Sequence, residues 1–122
     1  MRLHFLDFDY SDDEEGTATW DAVASVPSLR LEELEREVIT VLAWAHLQFG
    51  ALRGPVESGG LWNYDLQYER DSQPLLPLCY DTETQRLTPA PVASPGERVT
   101  LTLSLGGGQA FSMAFATHFN LR

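Results

Sequence analysis

The sequence predicts an α+β fold: an antiparallel sheet of about five strands in the order β-β-α-β-β-β-α, with one long and one short helix packed on the same face. Several segments alternate apolar and polar residues, as strands buried on one side do. Two others repeat apolar residues at the spacing of a helix face. Because 122 residues suffice for one core, we expect residues 1–122 to form a single domain.

The first two strands are predicted to form a hairpin around an acidic turn. Residues 2–10 and 17–26 both alternate, residues 11–15 separate them, and Gly16 can supply a positive φ at the exit of the turn. A slip of one residue would exchange the faces of one strand, so the apolar residues restrict the register. The predicted register pairs Tyr10 with Gly16, Phe8 with Ala18 and Leu6 with Trp20.

The strongest helical pattern covers residues 28–49. Its apolar residues fall on one face, and its first turns are rich in glutamate, which is favourable near the positive end of the helix dipole. Gly50 stands where a C-terminal cap belongs. Residues 38–49 are apolar on nearly every side, so we expect this half of the helix to be buried.

The rest of the chain predicts further strands and a short helix. Residues 61–70 and 98–105 alternate regularly, and a short hairpin is predicted from strands at 78–80 and 86–88. Residues 109–119 have helical spacing. The segments 51–60 and 88–96 are rich in glycine or proline and are predicted connections.

If the strands form one sheet with both helices on its apolar side, the other side is polar and open. An open face of this kind is compatible with simple hydration, dimerisation or ligand binding. The residues expected on it are Asp7, Asp9, Thr17, Thr19, Asp21, Asn63, Asp65, Gln67, Glu69, Thr100, Thr102 and Ser104.

The composition excludes several classes of function. A formal net charge of −10 repels phosphate backbones and anionic lipid, so we expect no direct nucleic-acid contact and no membrane contact. All eight basic residues are arginine, which excludes sites that need a lysine. Abundant arginine without lysine is also a composition found in GC-rich bacteria.

Cys79 is the only cysteine, so no intrachain disulfide or thiolate-rich zinc site can form. The N-terminus has no apolar segment of the signal-peptide type, and the apolar run 38–49 is too short to span a bilayer. These features predict a cytoplasmic protein. Neither a cofactor nor a metal is implied by any motif.

Five acidic residues on predicted strands form the candidate ligand site. Clustered carboxylates can raise one another's pKa and act as general acids or bases, whereas a hydrated outer face needs no such role. The catalytic interpretation requires the strand 61–70 to lie beside the hairpin and a concave site around the acids. The candidate residues are Asp7, Asp9, Asp21, Asp65 and Glu69.

The acidic turn suggests calcium binding, but its pattern differs from a helix-loop-helix calcium loop. Starting at Asp7, the position that requires glycine is Asp12, and the position that requires the final bidentate glutamate is Ala18. A solvated turn is therefore favoured. A weak divalent-cation site remains as an alternative, formed by Asp9, Asp12, Asp13, Glu14 and Glu15.

Other isolated features favour structural roles. His46 lies in an apolar helix and is expected to be a hydrogen-bonded core or boundary residue, and Cys79 in LPLCY is expected to be a small buried hydrophobe. Residues 106–108, three consecutive glycines, lack the rest of a phosphate-binding motif and are expected to form a flexible turn between strand and helix.

These observations favour a small acidic, non-enzymatic binding or accessory module that acts through a protein partner or as a homodimer. One form of this hypothesis is that the acidic surface mimics nucleic acid and occupies a basic partner, which predicts salt-sensitive association. The alternative is a small-ligand-binding protein or enzyme that uses the five candidate carboxylates.

Overall fold

The computed structural model describes residues 2–50, 53, 61–71 and 73–121. Together they confirm the α+β class, with both helices on one face of an antiparallel sheet. The described sheet has six strands, close to the predicted number of about five, and both arms of the predicted short hairpin form strands. The strands are β1 (Asp9–Asp12), β2 (Ala18–Pro27), β3 (Trp62–Arg70), β4 (Leu76–Asp81), β5 (Arg86–Thr88) and β6 (Arg98–Gly107).

The strand order across the sheet is β1-β2-β6-β3-β4-β5. The last strand in sequence, β6, therefore lies between β2 and β3 and pairs along its length with both. Its alternate residues Val99, Leu101, Leu103 and Leu105 are fully buried, which places β6 at the centre of the core. The acidic hairpin and strand β3 are consequently joined through one central strand.

In the described part of the chain, two helices cover the apolar side of the sheet. A 3-10 turn (Ser28–Arg30) leads into α1 (Leu31–Phe49), and α2 (Gln109–His118) follows β6. Gly50 is the C-cap residue of α1, as predicted, but its φ of −43° is right-handed. The buried residues of α1 are Leu31, Leu34, Val38, Val41, Leu42 and Ala45. Neither described helix has the length and hydropathy needed to cross a membrane.

The segment before β1 is not the strand predicted from residue 2. Residues 2–8 instead run beside α1, where the Glu37 carboxylate accepts hydrogen bonds from the backbone N–H groups of His4, Phe5 and Leu6. Leu6 and Phe8 are still buried, as their alternation predicted. A helix side chain thus satisfies backbone groups that a longer β1 would have paired with a neighbouring strand.

The register of the first hairpin differs from the prediction by four residues. Strand β1 pairs Tyr10 with Trp20 and Asp9 with Asp21. Asp13 Oδ1 accepts the backbone N–H groups of Glu15 and Thr17, both at 2.9 Å, so the turn begins two residues later than expected. Gly16 has the expected positive φ, at 87°. An even shift keeps each side chain on its predicted face.

The glycines at 106 and 107 are strand residues, which corrects the prediction of a flexible turn over 106–108. Gly107 is buried, and a Cβ built there would lie 2.7 Å from Phe111 Cδ2 and 2.8 Å from the Leu61 carbonyl oxygen. Its missing side chain lets the Phe111 ring, on the first turn of α2, pack directly against the strand. The predicted connection 51–60 lies outside the described residues except for Arg53.

Candidate functional site

The polar side of the sheet, called the open face below, is built around the outward residues of β6. Thr100, Thr102 and Ser104 form a half-buried line of hydroxyl groups along this strand. They face away from the helices because they alternate with the fully buried valine and leucines of β6. The neighbouring strands β2 and β3 place their own polar residues on both sides of this line.

One row of the open face carries three of the five predicted site residues. The backbone pairing places Asp9 opposite Asp21, Asp21 opposite Ser104, and Ser104 opposite Asp65. Adjacent strands are about 4.8 Å apart, so Asp21 and Asp65 lie about 10 Å from each other with Ser104 between them. The catalytic interpretation requires strand β3 to lie beside the hairpin, but β6 separates the two.

Within this row, the Ser104 hydroxyl donates a hydrogen bond to Asp21 Oδ1. A hydroxyl donor partly offsets the negative charge of that carboxylate. Asp9 and Asp65 have no such donor among the described residues, and both side chains are exposed. Two carboxylates of the row are thus available to an external cation.

The remaining two predicted residues lie outside this row. Glu69 is opposite Thr100 on the same face, four residues along β3 from Asp65 and therefore about 13 Å away. Asp7 is exposed in the segment that precedes β1, and none of the described strands pairs with it. The five predicted residues therefore divide into a row of three, a distant fourth on the same face and a fifth outside the sheet.

Between Glu69 and the acidic row lies a second row without formal charge. It consists of Val23, Thr102 and Gln67, which are paired across β2, β6 and β3. The Val23 side chain is 63% exposed. Val23 was absent from the predicted face, although the alternation of β2 places it beside Asp21. The open face therefore combines an apolar contact point with the surrounding carboxylates.

A positive charge marks one end of the open face. Arg98 donates from Nη2 to the Ser25 carbonyl oxygen at 3.0 Å and from Nε to the Ser25 hydroxyl at 3.3 Å. The Arg98 backbone N–H donates to Asp71 Oδ2 at 3.1 Å. These bonds hold the arginine at the end of β6 remote from the acidic row.

The five predicted carboxylates lie on an exposed surface and not in a cavity. All five predicted carboxylates are exposed, whereas an enzymatic carboxylate needs a concave and partly desolvated site. Among the described residues, cavities of about 500, 460 and 450 Å³ are lined by residues of α1 and of segments packed on it, and include none of the five. A broad, hydrated face suits contact with another macromolecule.

Two carboxylates of the acidic turn accept hydrogen bonds from within the hairpin itself. Asp13 closes the turn through its side chain, and Asp12 Oδ2 accepts a hydrogen bond from the Tyr10 hydroxyl at 3.2 Å. Across residues 2–50, 53, 61–71 and 73–121, no three His, Cys, Asp or Glu side chains are grouped so as to hold a metal ion. The turn therefore has the geometry of a hydrogen-bonded connection.

Cys79 is exposed, which contradicts its predicted burial. The neighbouring residues Leu78 and Tyr80 occupy the inward positions of β4 and are 3% and 8% exposed. Alternation then directs Cys79 to the open side of the sheet. The prediction failed because two apolar neighbours left the buried face ambiguous for the residue between them.

The chain matches no protein-family model, and neither the curated proteins nor the solved structures provide a match to it. Its function is therefore inferred from the chemistry of its surfaces and cavities.

Proposed function

We propose that the protein is a small acidic binding module that uses the open face of its sheet to contact a protein partner with an arginine- or lysine-rich surface. The observation that carries this proposal is the row Asp9–Asp21–Ser104–Asp65, which crosses four adjacent strands and presents exposed carboxylates at both ends. Cytoplasmic location and a bacterial source belong to the same proposal.

Charge complementarity defines the partner. A net charge of −10 attracts cationic surfaces and increases the rate at which they meet the open face. Asp65 and Glu69 on β3, with Asp9 on β1, frame the uncharged row that contains exposed Val23. Basic side chains of the partner would pair with the carboxylates while an apolar side chain covers Val23.

Two variants with equal charge loss test the proposal. The face variant combines Asp9→Asn, Asp65→Asn and Glu69→Gln, whereas the control combines Glu14→Gln, Glu15→Gln and Glu83→Gln in the two exposed turns. An arginine-rich peptide is titrated into the isotopically labelled protein, and amide shifts are followed by NMR. Proteins retained by the immobilised wild-type chain are then measured against both variants.

The peptide should shift open-face amides of the wild-type and control proteins, and its affinity should fall at least tenfold in the face variant. Affinity should also fall as salt rises, because exposed charge pairs are screened. Equal affinity for the face and control variants, or salt-independent binding, would refute the proposal. A homodimer that forms through the open face without a basic partner would refute it as well.

A further inference from the structure

A cavity of about 500 Å³ lies on the helix side of the sheet, between the end of α1 and the β4–β5 hairpin. This volume lies within the range of small-molecule sites in proteins. Ala43 and Leu47 of α1 supply apolar walls, and His46 lies between them. The hairpin contributes Tyr80 and Gln85. The cavity therefore joins apolar, aromatic and polar surfaces at a place remote from the open face.

His46 presents a defined hydrogen-bonding atom to this cavity. Its Nδ1 lies 2.8 Å from the Leu42 carbonyl oxygen, and because a carbonyl can only accept, Nδ1 carries the proton. In the neutral ring, Nε2 is then an acceptor, and the described part of the chain offers it no donor. The Trp62 and Tyr80 rings, with centroids 4.9 and 5.1 Å away, hold the imidazole in place.

Tyr80 adds a hydrogen-bond donor. The residue is only 8% exposed, and its backbone N–H donates to the Tyr64 hydroxyl at 2.8 Å. Burial, followed by the neighbouring charge of Asp81, raises the pKa of the Tyr80 phenol, so the phenol keeps its proton. Within the described residues the Tyr80 hydroxyl has no hydrogen-bond partner, and because no fully buried side-chain oxygen there lacks one, this hydroxyl is accessible to solvent.

Gln85 occupies a strained position at the edge of the same cavity. Its φ is 57°, in the left-handed region that residues with a Cβ rarely adopt. Its backbone N–H donates to the Asp81 carbonyl oxygen at 2.8 Å and closes the turn of the hairpin. Such strain is often retained where a side chain is needed for function. Gln85 is exposed and lines the cavity together with His46 and Tyr80, and its amide offers one acceptor and two donors.

We propose that this cavity binds a small, neutral, planar nitrogen heteroaromatic molecule through His46, Tyr80 and Gln85. An N–H group of the ligand donates to His46 Nε2, a ring nitrogen or carbonyl accepts from the Tyr80 hydroxyl, and the Gln85 amide closes the cavity. The aromatic walls favour a flat ligand. The net charge of −10 disfavours an anionic one.

Adenine is a suitable probe because it is planar and neutral and carries adjacent donors and acceptors. Titration into the 122-residue chain should give saturable NMR shifts at the His46 ring nitrogens and at the backbone of residues 80–85. Adenosine monophosphate should bind more weakly because of its charge. His46→Phe and Tyr80→Phe keep the ring volume and remove one hydrogen bond each, so each should weaken adenine binding about tenfold.

Tyr10→Phe removes a tyrosine hydroxyl outside the cavity and should leave adenine affinity unchanged. Gln85→Gly relieves the positive φ, so it should raise the melting temperature while it weakens adenine binding. This variant keeps the test decisive even if a ring substitution unfolds the protein. The proposal is overturned if millimolar adenine causes no saturable shift, or if affinity is unchanged in both His46→Phe and Gln85→Gly.

Discussion

Asp9 and Asp21 face each other directly across β1 and β2 on the open side of the sheet. Carboxylates at opposed positions of an antiparallel pair repel, and their strands lie only about 4.8 Å apart. The Ser104 hydroxyl donates a hydrogen bond to Asp21 but not to Asp9. The repulsion between the two carboxylates lowers the stability of this part of the sheet. The proposed cationic partner would bind to the same high density of negative charge.

Asp9→Asn should therefore stabilise the isolated protein. Removal of one of the two opposed charges should raise the free energy of unfolding by about 0.5 kcal/mol at neutral pH and low salt. Urea denaturation in low and high salt measures this effect, which should shrink as salt screens the repulsion. Glu14→Gln, an equal charge change in the turn, is the control. A destabilised Asp9→Asn protein would contradict the assigned repulsion.

Gly107→Ala should destabilise the protein by about 2 kcal/mol, the usual cost of overpacking a closed core. The new methyl group would meet both the Phe111 ring and the Leu61 carbonyl at less than 3.0 Å. Gly108→Ala is the matched control, because a Cβ there meets nothing within 4 Å. Thermal denaturation of both variants tests the difference. Equal melting temperatures would show that Phe111 relaxes without cost.

Glu37→Gln should release the N-terminal segment from α1. In Glu37, two carboxylate oxygens accept hydrogen bonds from the backbone N–H groups of His4, Phe5 and Leu6. Glutamine has only one side-chain oxygen, and its amide nitrogen cannot accept a hydrogen bond. We expect a loss of about 2 kcal/mol in the free energy of unfolding. Hydrogen exchange at amides 4–6 should accelerate most. Unchanged exchange there, or equal acceleration in the exposed control Glu33→Gln, would contradict this role.

Glu97 should contribute stability that disappears in acid. Its pKa lies below the ordinary value of 4.5, first because its carboxylate accepts the Ser94 backbone N–H and then because Arg70 bonds and attracts it. When folding lowers the pKa of a carboxyl group, the group stabilises the folded state at every pH above its pKa in the unfolded chain. This stabilisation is lost as the pH falls through its pKa in the folded protein.

Urea midpoints of wild-type and Glu97→Gln proteins, measured from pH 7 to pH 2.5, provide the test. The variant should be less stable at pH 7, and the two curves should converge as Glu97 is protonated. The exposed residue Glu83 provides the control Glu83→Gln, which should follow the wild-type curve. If Glu97→Gln were less stable than the wild-type protein by the same amount at every pH, the charge of Glu97 would not be the cause of its stabilising effect.

Local pattern was sufficient for most individual elements of the fold. Alternation predicted β2, β3 and β6 to within two residues, and helical spacing predicted α1 and α2. It could not predict strand order, because the position of β6 between β2 and β3 depends on pairing between residues far apart in sequence. It also could not foresee that a side chain of α1 would hold residues 4–6.

The same distinction explains the candidate site. Alternation directs Asp9, Asp21 and Asp65 to one face whatever their neighbours, and the structure brings them into one row through Ser104. The register could not be predicted because the Asp13 side chain, rather than the apolar pattern, determines where the turn begins. The cavity beside His46 was not predicted because its second wall comes from a hairpin about 35 residues further along the chain.

The position of Cys79 has a practical consequence for the measurement of self-association. It is the only thiol in the chain, and it is exposed on the polar side of the sheet. Two molecules joined by a Cys79–Cys79 bond would be linked covalently at the polar side of their sheets. Air oxidation would then create a dimer that does not depend on the proposed contact. Light scattering and partner binding should therefore be measured with reductant present, and Cys79→Ser offers a chain in which this crosslink cannot form.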